Sequence, residues 1–149
     1  MNVVQYIDEV WSAKNPLLSS NPYQRAQARF WVDFIDTKVR FSSQWMRYGQ
    51  QKARYKQEKA KKEYIEALKI LDKPYFGGDN FGFVYIAMTG YYMWFEAFKK
   101  CGNFSIEREC PTLMALAKRC LQRDSVVNSF PNPERIVEFA FKIRKIYCV

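Results

Sequence analysis

The side chains that could do chemistry in this chain are few. Four cysteines stand at Cys101, Cys110, Cys120 and Cys148, and the 149 residues contain no histidine. None of the cysteines forms a C-x-x-C pair, so a zinc site would need four thiolates at irregular spacing, and no metal site is expected. The absence of histidine also excludes a Ser-His-Asp triad, a Cys-His pair and an H-E-x-x-H site. The glycines of the 76–82 string, Phe-Gly-Gly-Asp-Asn-Phe-Gly, match neither a phosphate-binding loop nor a dinucleotide fingerprint, so they read as a turn. Asn103-Phe104-Ser105 fits a glycosylation sequon, which carries no weight in a cytoplasmic chain. With no secretory signal pattern at its start, the chain reads as cytoplasmic, its thiols kept reduced.

Two clusters could bind rather than react. Residues 52–62 carry Lys52, Arg54, Lys56, Lys59, Lys61 and Lys62, and the whole chain has a net charge of +9. A basic stretch of this kind can hold phosphates without sequence preference. Glu58, Glu63 and Glu66 interleave with the cations, however, and Glu58–Lys62 is an i,i+4 pair, so a solvated helix face is the favoured reading. The aromatic set Tyr91, Tyr92, Trp94, Phe95 and Phe98 is core by default, because a helix offers only one face to a cavity.

The elements that must position these groups are helical. Apolar residues make up 48% of the chain and aromatics 17%, with six glycines and six prolines, a balance that excludes disorder and favours long helices. Val3, Val4, Ile7, Val10 and Trp11 have helical spacing but no capping residue before them. Asn21-Pro22 with Gln24 opens a long helix to about residue 47, with Ala26, Phe30, Phe34, Ile35 and Val39 on its apolar side. A third helix, about 50–71, buries Ala60, Tyr64, Ala67, Leu68 and Leu71. Residues 81–98 are apolar all round. They are too short for a bilayer span and contain Glu96, so they predict a buried central helix and no membrane partner. Pro111 opens a helix with Leu113, Leu116, Ala117, Cys120 and Leu121 inward. Asn132-Pro133 opens the last, with Ile136, Phe139, Ala140, Ile143 and Ile146. The expectation is one all-α bundle of about six helices.

Ordered strings along the whole chain resemble the C-terminal half of tau-class glutathione S-transferases. They are Tyr6-Ile7-Asp8-Glu9, Asn15-Pro16-Leu17-Leu18, the run from Asn21 to Trp31 with Asp33, Ile35 and Asp36, the run from Phe76 to Val84, Glu109-Cys110-Pro111 and Ala117-Lys118-Arg119-Cys120. The resemblance implies the helical C-terminal bundle of that family over residues 14–149. It implies that residues 1–13 are the remnant of the last helix of a thioredoxin-like domain. In the family that domain binds glutathione, the co-substrate, and supplies the serine that stabilises its thiolate. This chain is therefore expected to bind no cofactor itself, to hold no catalytic or glutathione-binding residue, and to be inactive alone. Carried over by position, the pocket for a hydrophobic electrophile falls on Arg40 and Gln44 of the long helix, Trp94 of the central helix, and Phe139 and Ile143 of the last. Arg40 and Gln44 are one turn apart, as are Phe139 and Ile143, so each pair shares a helix face.

Three departures from the family pattern stand out. Tyr85 replaces an Asp that caps the central helix, Thr89-Gly90 replaces a mid-helix proline, and the chain is more basic than its class. Gly90 in a helix costs about 0.5–1 kcal/mol relative to Ala. The expected activity is glutathione conjugation to hydrophobic electrophiles, in detoxification. The alternatives are a non-catalytic binder of hydrophobic ligands or partners, self-associating through an exposed apolar face, and, less favoured, a nucleic-acid or anionic-surface binder through 52–62.

Overall fold

The computed structural model describes residues 2–11, 13, 15–40, 43, 54–72 and 82–147. Among these the elements are α1 (Asn2–Trp11), α2 (Pro22–Phe34) continuing into a π-helical turn (Ile35–Val39), α3 (Arg54–Leu71), α4 (Phe83–Tyr92), α5 (Phe95–Gly102), α6 (Ile106–Glu109), α7 (Pro111–Cys120), α8 (Asp124–Val127) and α9 (Pro133–Tyr147). The structure is an all-α bundle. Five of the six long elements expected from periodicity are present among the described residues, and the sixth, 81–98, is interrupted. The two additional single-turn helices, α6 and α8, are too short to leave a periodic signal.

The helix starts follow the capping chemistry. The Asn21 side chain accepts from the amides of Tyr23 (2.9 Å) and Gln24 (3.2 Å), with Pro22 in the first turn. Gln24 departs from the reciprocal capping box. Its Oε1 accepts from the Ser19 hydroxyl (2.7 Å), and that hydroxyl accepts from the Asn21 amide (3.1 Å), so the serine relays the bond. Asn132 caps α9 in the same way, accepting from the Glu134 amide at 2.9 Å.

The core forms where α4 packs on α2, the π turn and α7, with α3 against the π turn. Tyr64, Leu68, Ile35, Val39, Leu113, Cys110 and Cys120 are its deepest side chains. The expected stripe of α3 is confirmed at Tyr64, Ala67, Leu68 and Leu71. Residues 81–98 are corrected: the helix breaks at Met93-Trp94 and resumes as α5, which runs to Gly102. The N-terminus of α4 has no side-chain cap, and the Phe83 amide instead donates to the Leu17 carbonyl at 3.1 Å. Tyr85, where an Asp was expected by resemblance, is buried. Thr89 is buried as well, and its hydroxyl bonds back to the Tyr85 carbonyl at 2.6 Å.

Two apolar stripes are also corrected. On α2 the buried positions are Val32 and Ile35, with Ala28 and Trp31 half-buried, whereas Ala26 and Phe30 face solvent. Both sides of this helix carry apolar residues, so spacing did not choose between them. On α9, Ile136, Val137 and Ala140 are buried, but Phe139 is 54% exposed and Ile146 is 70% exposed.

On α1 the pattern is inverted. Val3, Tyr6, Ile7, Val10 and Trp11 are all exposed, and the buried residue is Asp8. Its carboxylate accepts from the Leu17 amide (2.6 Å) and the Leu18 amide (3.1 Å), tying the helix to the loop that leads into α2. Asp72 does similar work across a longer range. It accepts from the Leu113 amide at 2.6 Å and so caps α7, whose own N-cap, Cys110, makes no side-chain bond.

Candidate functional site

The break between α4 and α5 is a single turn. The Trp94 amide donates to the Tyr91 carbonyl (2.9 Å), and the Phe98 amide donates to the Trp94 carbonyl (2.8 Å). The indole of Trp94 is thereby carried at a corner and not on a continuous helix. It lies against Phe98, ring centroids 6.2 Å apart and planes 26° from parallel, and against Phe139 of α9, 6.1 Å away and tilted by 57°. Beyond Phe98 the rings continue inward to Tyr64 (5.2 Å) and Phe104 (6.4 Å from Tyr64). An aromatic chain thus runs from the exposed Phe139, through half-buried Trp94, into the core. Ile143, one turn beyond Phe139, is also half-buried.

Arg40 follows the π turn and is exposed. In that turn the Thr37 hydroxyl donates to the Asp33 carbonyl at 2.7 Å. A π turn takes up one extra residue and is frequent at functional sites. Tyr91, one turn before Trp94, senses both Asp36 and Arg40. Burial first and then Asp36 raise its phenol and Arg40 draws it down, leaving it at about 12. Tyr91 is half-buried and packs against the core, as the sequence reading expects.

Of the five carried-over residues, Trp94 and Phe139 are in contact and Ile143 lies one turn along the same helix, whereas no contact joins the exposed Arg40 to them among the described residues. Gln44 lies outside the described residues, as do the 76–81 part of the glycine string and the start of the 52–62 stretch. On the described part of that stretch, Glu58 pairs with Lys61 (3.0 Å) and not with Lys62, and Lys59 approaches Glu63 (3.9 Å). The i,i+3 partner won over the i,i+4 partner expected.

The described cysteines, Cys101, Cys110 and Cys120, are free and buried. Burial pushes the Cys110 thiol up to about 12 and the Cys120 thiol up to about 11, and also raises Cys101. None is a thiolate nucleophile at neutral pH. No cluster of side chains placed to hold a metal ion occurs among the described residues, and no helix among them is long and apolar enough to cross a membrane.

No protein-family model matches the chain. Individual proteins do. The chain is 69% identical over 154 residues to glutathione S-transferase U22 of Arabidopsis thaliana, covering 100% of this chain and 69% of that protein. It is 54% identical over 147 residues to glutathione S-transferase U19 of the same plant, covering 95% of this chain and 66% of the other. Among solved structures, the bundle superposes on rice GST1, solved in complex with glutathione, with a TM-score of 0.87 and 32% identity, over 99% of this chain and 69% of that one. It superposes on the tau-class enzyme of mango, Mangifera indica, with a TM-score of 0.84 and 29% identity, over 95% of this chain and 69% of that one. The chain spans about two thirds of the length of the relatives it matches.

Proposed function

Since this chain belongs to the tau-class glutathione S-transferases, we propose that its bundle forms the electrophile side of a glutathione-conjugating site. The observation that carries this reading is the Trp94–Phe139 pair: two aromatic rings 6.1 Å apart, one half-buried and one 54% exposed. A rigid, partly open apolar wall of this kind recognises a flat hydrophobic electrophile. Ile143 extends the wall, Tyr91 borders it, and Arg40 supplies a cation at its edge. Gln44 is the fifth residue that the resemblance assigns to this pocket.

In this reading the groups that bind glutathione and stabilise its thiolate lie outside these 149 residues. The described cysteines, held as neutral thiols, offer no replacement. Residues 1–13 belong with a thioredoxin-like domain and residues 14–149 form the bundle. The exposed apolar side of α1 supports that division, because only Val4 of its apolar residues packs against the core, and the helix is tied on by Asp8 and by the Glu9–Arg29 pair. Buried free thiols also fit a reducing cytoplasm.

The test has two parts. Titration of the chain with an apolar fluorescent dye should show saturable binding that Trp94→Ala weakens about tenfold, the loss of one aromatic contact with its buried area. A signal unchanged in that variant would remove the wall from consideration. Glutathione and an activated aryl halide should show no turnover above background with the 149-residue chain. Turnover would place thiol activation within it.

A second reading rests on α1. Val3, Tyr6, Ile7, Val10 and Trp11 form a continuous exposed apolar surface, and such surfaces associate. A concentration-dependent mass in analytical ultracentrifugation, reduced by Ile7→Gln, would support it.

A further inference from the structure

A cavity of about 450 Å³ lies where the C-terminal end of α5 meets α3 and α9, lined by Gln57, Glu58, Lys61, Cys101, Asn103 and Arg144 among others. It shares no lining residue with the Trp94–Phe139 wall and does not rest on the reading above.

Its polar groups are unevenly matched. Arg144 is fixed at Cys101, donating from Nη1 to its carbonyl at 2.7 Å and also to its thiol. It makes no ion pair with a carboxylate among the described residues, so the rest of its five-donor fork is unspent on protein anions. Lys61 is drawn in by Glu58, both of whose oxygens accept from its ammonium (3.0 and 3.2 Å), and its side chain is only 16% exposed. It also lies over the Phe104 ring, 6.0 Å from its centre. Gln57 is 6% exposed, and its Nε2 is buried without an acceptor. A buried amide left this way is destabilising, and a ligand oxygen would relieve it. The left-handed backbone of Asn103 (φ 52°) ends α5 at the cavity wall. Two cations face one carboxylate here, and the donor without a partner is an amide nitrogen.

We infer that this cavity is a binding site for a small hydrophilic oxyanion, a carboxylate or a phosphate. The anion accepts from the free edge of the Arg144 guanidinium and, once the Gln57 side chain turns into the cavity, from its Nε2, with Lys61 adding a second positive charge. The mainly polar wall excludes a greasy ligand, and the single carboxylate, already committed to Lys61, leaves a cation no partner. An arginine fork suits the planar or tetrahedral oxygens of such groups.

The test is calorimetric titration and thermal denaturation of the chain with sodium phosphate and, separately, sodium succinate, at ionic strength held constant with sodium chloride. Saturable binding of at least one anion, with a rise in Tm, is expected. Arg144→Met should weaken it about tenfold or more, the loss of a charge-assisted hydrogen bond. Gln57→Leu should raise the Tm of the ligand-free chain, by removing the unpaired donor, while weakening the anion's effect. It keeps the proposal open to refutation even if Arg144→Met fails to fold. Lys62→Met, an exposed cation outside the cavity, should leave binding unchanged. A response to phosphate alone assigns a phosphoryl ligand, and a response to succinate alone a carboxylate. No binding of either anion, or equal binding by wild type, Gln57→Leu and Arg144→Met, would overturn the site.

Discussion

Helices α1 and α4 are each ten residues long, and they are held in opposite ways. In α4, apolar side chains are buried on nearly every side, and the buried Thr89 hydroxyl bonds back into its own helix. In α1, the apolar side chains apart from Val4 face outward, and the helix is held chiefly by a carboxylate that reaches a neighbouring loop. The first attachment is non-directional and scales with area. The second is directional and rests on two hydrogen bonds. Periodicity shows that a helix has an apolar face but does not say whether that face is covered.

This contrast can be broken from either side. The largest effect is expected for Phe83→Ala in α4, where a side chain 3% exposed is removed. The cost should be about 3–5 kcal/mol, read as a lowered midpoint of chemical denaturation for the entire bundle. Asp8→Ala should cost about 2–4 kcal/mol, because two backbone donors lose their acceptor. Its signature should be local: faster amide exchange in α1 and at Leu17 and Leu18, with α4 protected as before. Loss of protection spread evenly over both helices would show that α1 is held by packing after all. Gly90→Ala should stabilise α4 by about 0.5–1 kcal/mol, since an added methyl group there meets nothing within 4 Å. The smallest effect belongs to the exposed side of α1. Ile7→Gln should change stability by no more than about 0.5 kcal/mol, although the same exchange in α4 would be disruptive.

Much of this architecture was legible in the residues. Asn21-Pro22 and Asn132-Pro133 marked helix starts because capping is local chemistry. The Tyr64–Leu68–Leu71 stripe marked a buried face because α3 is polar on its other side. What stayed hidden was set by distant neighbours. The break at Met93-Trp94 has no proline or glycine to announce it. Asp72 caps a helix that starts 39 residues later, and Asp8 is buried by a loop nine residues away. Neither carboxylate can be told from a surface charge by its spacing. The same limit governed the candidate site. Position along the helices placed Phe139 and Ile143 on one face, but only the fold brings Trp94 to Phe139. Likewise, Gln57 sits within a run of lysines, where nothing local foretells a buried amide.

The π turn at Ile35–Val39 makes the helix unequal along its length in its tolerance of deletion. In a regular α-helix, removing one residue rotates everything beyond it by about 100°. Taken from Pro22–Phe34, such a deletion would swing Arg40 away from Tyr91 and turn Ile35 and Val39 out of the core. Taken from between Asp36 and Lys38, it would collapse the wide turn to ordinary α geometry and leave the downstream orientation in place. The segment is a slack link in an otherwise taut rod, where the chain can shorten by one residue without turning Arg40 off its face.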